Sequence, residues 1–275
     1  LLNSFYNHNL YDRTLQKLDS LIITSQPLKK DWLNIGMEAS MLSGNLESLL
    51  KWVRLFESSE EINDSQLLVN YHIGKALLYW KDQKMDMFES SLEIAHILIG
   101  GRLSMNRPVT LNKSRPMLVV LHSLSDITAI SHQSSTHTFN SLASLMDLRL
   151  ENTGNDFMAN WYISSLRKVA DFLAGNSFNL TDLSDTWVSA AKIARKHNRL
   201  DLSSSAIMNA IRLGNSNTDL EYAKLLWAQG DHSRALKFME DLKNEERPLS
   251  ERGKAEIQLK YTKWLDYSNN SSSTK

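Results

Sequence analysis

The sequence contains no cysteine, 4 prolines, 10 glycines and 7 valines in 275 residues. Without cysteine there is no disulfide, no Cys-ligated zinc and no thiol nucleophile, which fits a reducing, intracellular setting. The scarcity of valine, glycine and proline argues against sandwiches, barrels and propellers, which need β-branched strands and frequent turns. An excess charge of either sign is missing too: Lys plus Arg and Asp plus Glu are 31 each. Nothing therefore marks a surface for neutralising phosphates, and direct binding to nucleic acid is not expected. The longest apolar stretches, Ile94–Gly100 and Met117–Leu121, are far shorter than the ~20 residues that cross a bilayer. A soluble chain is expected. It starts at Leu1 with no signal-peptide pattern, and so resembles a fragment of a longer product.

What the sequence has is leucine, 43 residues of it, with 15 isoleucines, spaced for helices. Tyr11, Leu15, Leu18, Leu21 and Ile22 lie on one stripe of 3.6-residue period, and Pro27 ends it. Trp32, Ile35, Ala39 and Leu42 form the next stripe; Gly44 and Asn45 provide a stop and a cap; Leu46, Leu49, Leu50, Val53 and Phe56 follow. Leu67–Trp80 and Met85–Ile99 make a second hairpin. Beyond lie Met117–Ser131, Phe139–Leu150, Trp161–Ala174, and two stripes flanking His197-Asn198-Arg199. A pair then joins at Gly230-Asp231, and a last helix spans Ser250–Asp266. Roughly a dozen helices with short links force antiparallel neighbours. The predicted fold is all-α, an α-solenoid of antiparallel hairpins with degenerate TPR- or HEAT-like repeats. Its parts are hairpin repeats over 1–99, an irregular loop over 100–116, further repeats over 117–267, and a disordered Ser/Asn linker over 268–275.

No phosphate loop, dinucleotide fingerprint, nucleophile elbow, H-E-x-x-H or D-F-G occurs, so no residue is assigned a catalytic, cofactor-binding or metal role. His122, His132 and His137 make a histidine-only metal site conceivable, with solvated loop residues preferred. Gly230-Asp231-His232 has the wording of a lipid-kinase-like catalytic loop but stands at a hairpin turn, and the turn is preferred. Arg195-Lys196-His197-Asn198-Arg199 is the nearest approach to an anion patch; its place at a helix C-terminus favours dipole capping. The tryptophans read as core, with one or two left for a partner contact. The Asn-x-Ser/Thr triplets at Asn63, Asn112, Asn179, Asn269 and Asn270 read as accidents of composition.

The segments DTWVSAAKIARKHNRLDLSSSAIMNAIRLG and DLEYAKLLWAQGDHSRALKFMEDL resemble the FAT region of phosphatidylinositol-3-kinase-related protein kinases. That family carries W-x-x-x-A-[RK]-I-A-R-K, here Trp187 and Ala191 to Lys196, and E-x-A-K-L-L-W-x-x-G-D, here Glu221 to Asp231. Upstream, DLRLENTGNDFMANWYISSLRKVADFL and MEASMLSGNLESLLKWV are similar to further family helices, with Gly36-Met37-Glu38 in place of the usual aromatic wording. The wording is most like the ATR-type checkpoint kinases, with a fungal flavour in the Asn/Ser richness. The resemblance implies a non-catalytic scaffold that supports and regulates a Ser/Thr kinase domain outside this chain. ATP and Mg would serve that domain, and DNA-damage signalling in the nucleus would be its setting. Implied partners are the chain's own kinase domain, a regulatory subunit of the ATR-interacting-protein type, and a second protomer. Ser25-Gln26 and Ser65-Gln66 become conceivable autophosphorylation sites, with chance dipeptides preferred. The alternative is a TPR-like adaptor that binds a peptide or partner in a groove; an independent enzyme comes third.

Overall fold

The computed structural model describes residues 2–24, 29–59, 64–105, 111–132, 139–154, 156–175, 180–212, 218–244 and 251–272. Its described residues form fourteen α-helices, packed in chain order as antiparallel pairs. They divide into two compact units, Leu1–Asn179 and Leu180–Lys275. That boundary falls inside the 117–267 stretch, which periodicity alone treats as one run of hairpins.

The first unit holds α1 (Leu2–Asn7), α2 (Tyr11–Thr24), α3 (Lys30–Ser43), α4 (Leu46–Glu57), α5 (Ser65–Lys81), α6 (Met85–Met105), α7 (Leu111–Ser131), α8 (Phe139–Asn152) and α9 (Phe157–Leu173). The α3/α4 turn follows from two residues. Gly44 adopts φ +76°, the left-handed conformation that suits glycine, so that its N–H and that of Asn45 reach the carbonyls of Met41 and Ser40 at 3.1 Å each. The Asn45 side chain then accepts from the Ser48 N–H at 3.0 Å and caps α4. The helices above this turn approach closely because Gly36 lies under the Trp52 ring, where a Cβ would sit 2.3 Å from Cδ2 and Cε2.

A single inward stripe does not describe α3. Trp32 and Ile35 are only partly buried, whereas Leu33, Gly36, Met37, Ala39, Ser40, Met41 and Leu42 are buried. The reason is that α3 packs on α2, α4, α5 and α9 at once. Helix α9 is likewise buried on most sides and meets α3, α5 and α7, so the chain returns on itself within this unit. Helix α8 is tied in by ions: Asp126 on α7, fully buried, binds Arg149 of α8 and Arg167 Nε of α9, the latter at 2.7 Å. Arg167 Nη2 also donates to the Met146 carbonyl at 2.7 Å.

The loop expected over 100–116 is mostly helical. Helix α6 continues through Gly100 and Gly101 to Met105, and α7 starts at Leu111 with Pro116 inside it. The glycines weaken a helix by about 1 kcal/mol each, but Arg102 beyond them anchors the turn by donating to Gln66 of α5. Pro116 lies in the second turn, where the missing N–H removes one backbone bond and leaves the rest of α7 intact.

The second unit holds α10 (Leu180–Lys196), α11 (Leu200–Arg212), α12 (Thr218–Ala228), α13 (His232–Asn244) and α14 (Glu251–Ser272). Small residues let α10 and α11 approach: Ala190, Ala191, Ala194, Ala206 and Ala210 are all buried, and the Ser203 hydroxyl donates to the Ala191 carbonyl at 2.9 Å. Ala223, Leu226, Ala235, Met239, Leu242, Ile257 and Trp264 form one apolar cluster across α12, α13 and α14. Helix α14 runs past Asp266 to Ser272, so residues 268–272 of the expected linker are helical and residues 273–275 lie outside the described set.

Candidate functional site

The first unit has a half-open cavity of about 430 Å³, a size suited to a small ligand. Its wall comes from α3, α5, α6, α7 and α9, and Val69, Ile99, Val119, Val120, Met158 and Ala159 make much of it apolar. The polar groups on it are Glu38, Gln66, Asn70, Arg102, Arg115, Asp156 and Tyr162. Five of these are already engaged. Asn70 Nδ2 donates to Asn34 Oδ1 at 2.8 Å, Arg102 donates to Gln66, and Arg115 pairs with Asp156 at 3.3 Å while donating to the Thr153 carbonyl at 2.8 Å. The turn that presents Asp156 is held by Asn160, whose Nδ2 donates to the carbonyls of Gly154 and Asp156 at 3.0 and 2.8 Å.

Glu38 is different. Burial pushes its carboxyl above the ordinary carboxylate range, against hydrogen bonds from Tyr6 and Asn70 that pull the other way. The Asn70 contact is long, 3.5 Å to Oε2. Tyr162 lies close enough for the Glu38 charge to add to burial in raising its phenol. The Tyr162 hydroxyl is buried with no hydrogen-bond partner. None of this could be read from the sequence, since Glu38, Asn70 and Tyr162 belong to no spaced motif.

The residues singled out by sequence are elsewhere and serve packing. Trp187 is buried, as are Trp52, Trp80, Trp161 and Trp264, while Trp32 and Trp227 keep part of their surface. The W-x-x-x-A and E-x-A-K-L-L-W stretches meet where Arg195 Nε reaches Glu221 Oε1 at 2.6 Å. Arg195 is therefore an ion-pair partner between α10 and α12 and not part of an open anion patch. Glu221 is buried, and Lys224 joins it at 3.7 Å while bonding Glu256 of α14 at 2.9 Å. Gly230-Asp231 is a helix turn, with the N–H groups of Gly230 and Asp231 on the carbonyls of Trp227 and Leu226 at 3.1 Å. His232 stacks on Trp227 at 4.2 Å between ring centroids, and Trp227 on Trp264 at 4.5 Å.

His132 lies 3.7 Å from Glu89, and His137 is outside the described residues. Among the described residues no group of three or more His, Cys, Asp or Glu could hold a metal ion, and no helix is long and apolar enough to cross a membrane. Ser25 lies outside the described residues; Ser65 is exposed at the start of α5, next to a Gln66 that accepts from Arg102.

The FAT domain family matches residues 42–273. The chain belongs to the FAT-domain family. Its relatives agree: the serine/threonine-protein kinase MEC1 of Eremothecium gossypii is 36% identical over 99% of this chain, and that of Candida glabrata 35% over 99%. The protein kinase rad3 of Schizosaccharomyces pombe is 24% identical over 96% of the chain. These are fungal kinases of the ATR type, as the motif wording implied. This FAT segment spans about 12% of the length of the MEC1 relatives. Within the FAT domain the family motifs thus supply core tryptophan, small helix-contact residues and a buried ion pair.

Proposed function

We propose that this FAT segment is a non-catalytic scaffold in a large Ser/Thr kinase of the phosphatidylinositol-3-kinase-related family, supporting and regulating a kinase domain encoded outside residues 1–275. The observation that carries the reading is the use of the family motifs for packing: Trp187 is buried in α10, and Arg195 and Glu221 lock α10 to α12. A scaffold biases a kinase by contacting its active and inactive states with different free energies. ATP and Mg belong in this reading to the kinase domain, the setting is checkpoint signalling in the nucleus, and a regulatory subunit and a second protomer are the further partners.

The test uses full-length protein. Arg195→Glu places like charges together at a largely buried contact, and kinase activity on a Ser-Gln peptide is expected to fall several-fold. Combining it with Glu221→Arg restores the pair and should restore activity. Full activity of the single variant, with limited proteolysis showing α10 and α12 loosened, would refute a supporting role.

A further inference from the structure

A carboxyl taken out of water is costly unless a cation or several strong donors replace the lost solvent. Glu38 has neither in full. Its donors are the neutral Tyr6 hydroxyl and the Asn70 amide, and among the described residues no lysine, arginine or histidine pairs with it. A second polar atom on the same wall has less still, because the Tyr162 hydroxyl is buried without a partner. Both residues line one cavity whose remaining surface is largely hydrocarbon. A carboxyl without a counter-ion and a hydroxyl without a partner beside one cavity point to an occupant that completes them. We infer that this cavity binds a small organic ammonium compound, with its amine on the Glu38 carboxyl and the Tyr162 hydroxyl and its hydrocarbon body against Val69, Ile99, Val120 and Met158.

Charge decides between a cation and an anion. The cations on the wall already have partners: Arg115 has Asp156 and the Thr153 carbonyl, and Arg102 has Gln66. An anionic guest would compete with Asp156 for Arg115 and would oppose ionisation of the Glu38 carboxyl. An ammonium group finds a carboxyl with no counter-ion, and a phenol oxygen that can accept one of its three N–H groups. Size sets the body. The cavity volume of about 430 Å³, at ~30 Å³ per water-sized group, holds on the order of a dozen non-hydrogen atoms. An n-alkylamine such as hexylamine fits this with room to spare.

The experiment is hydrogen–deuterium exchange on the full-length protein with hexylamine as probe, and hexanol and hexanoate as controls of equal length. Millimolar hexylamine is expected to slow exchange at least threefold in peptides from α3, α5 and α9, leaving peptides from α12 to α14 unchanged. Hexanol and hexanoate are expected to do neither. Glu38→Gln should weaken the amine at least tenfold and Tyr162→Phe about fivefold. Equal protection by hexanol would reduce the site to an apolar void, and protection by hexanoate alone would assign it to anions. Either result overturns the inference, as does hexylamine without effect, or undiminished binding to Glu38→Gln. If Glu38→Gln fails to fold, the comparison of the three probes on the unsubstituted protein decides alone.

Discussion

Replacing Gly36 by alanine adds one methyl group at the tightest point of the α3/α4 hairpin. The new Cβ would lie 2.3 Å from Cδ2 and Cε2 of Trp52 and 2.7 Å from Cε3, about 1 Å or more inside the usual 3.5–4.0 Å carbon contact. The ring cannot swing into solvent, because Trp52 is 0% exposed. Two effects oppose each other. Alanine favours the helix over glycine by about 1 kcal/mol, whereas overpacking a full core costs about 1–3 kcal/mol or more. At a separation this short, overpacking wins, and we expect a net loss of about 2 kcal/mol, read as a lower midpoint in urea denaturation. A second substitution isolates the cause. In a Trp52→Leu background the clashing ring atoms are gone, so Gly36→Ala should become neutral or slightly stabilising, with a coupling energy of about 2 kcal/mol in the double-mutant cycle. Gly36→Ala at or above the stability of the unsubstituted chain, or two substitutions that simply add, would show that the close approach is not what this glycine serves.

Three further outcomes are expected. Arg167→Met removes one partner of the fully buried Asp126 and the donor to the Met146 carbonyl; about 3–5 kcal/mol should be lost, and peptides from α8 should exchange faster, whereas unchanged exchange would mean that α8 is held by other contacts. Trp187→Ala empties a buried site and should lower stability by about 3–5 kcal/mol, checked by thermal melting. Glu38→Gln should change how stability depends on pH. The Glu38 pKa is raised in the folded state, so the folded chain holds a proton that the unfolded chain has released. Its contribution is present below the ordinary carboxylate pKa and is lost as pH rises toward the folded value, by at most about 1.4 kcal/mol per pH unit. Tyr6, Tyr11 and Tyr162 around it, all raised, stay neutral throughout that range. The glutamine variant should therefore gain on the unsubstituted chain as pH rises above the ordinary carboxylate range, and parallel stability curves would contradict the assignment.

The first unit departs from a one-dimensional stack in a way that matters for coupling. In a solenoid each repeat meets its neighbours and stability sums along the chain. Here α9 meets α3 and α5 as well as α7. It carries both the Arg167 contact to Asp126 and the Tyr162 side of the cavity. Helices far apart in sequence thus share the cavity wall directly, through packed side chains rather than through consecutive repeats.

The sequence by itself determined the helical class, most helix positions, the Gly44-Asn45 turn and the family. All of these rest on short-range rules: a 3.6-residue period, a left-handed residue with a capping side chain behind it, and motif wording within some forty residues. It misplaced what short-range rules weigh wrongly. Gly100-Gly101 and Pro116 read as breakers, yet helices persist through them: the contact of Arg102 with Gln66 offsets glycine costs of about 1 kcal/mol each, and Pro116 falls in the second turn, where one backbone bond is lost. Trp32 reads as core, yet the burial of α3 turns toward Leu33, Met37 and Met41, since four helices surround it. Only the tertiary structure decided the cavity and the ion pairs. Glu38, Asn70, Arg115 and Tyr162 come from four helices, and no spacing along the chain relates them. Their proximity depends on how those helices pack, and the protonation of Glu38 depends on the water that this packing excludes.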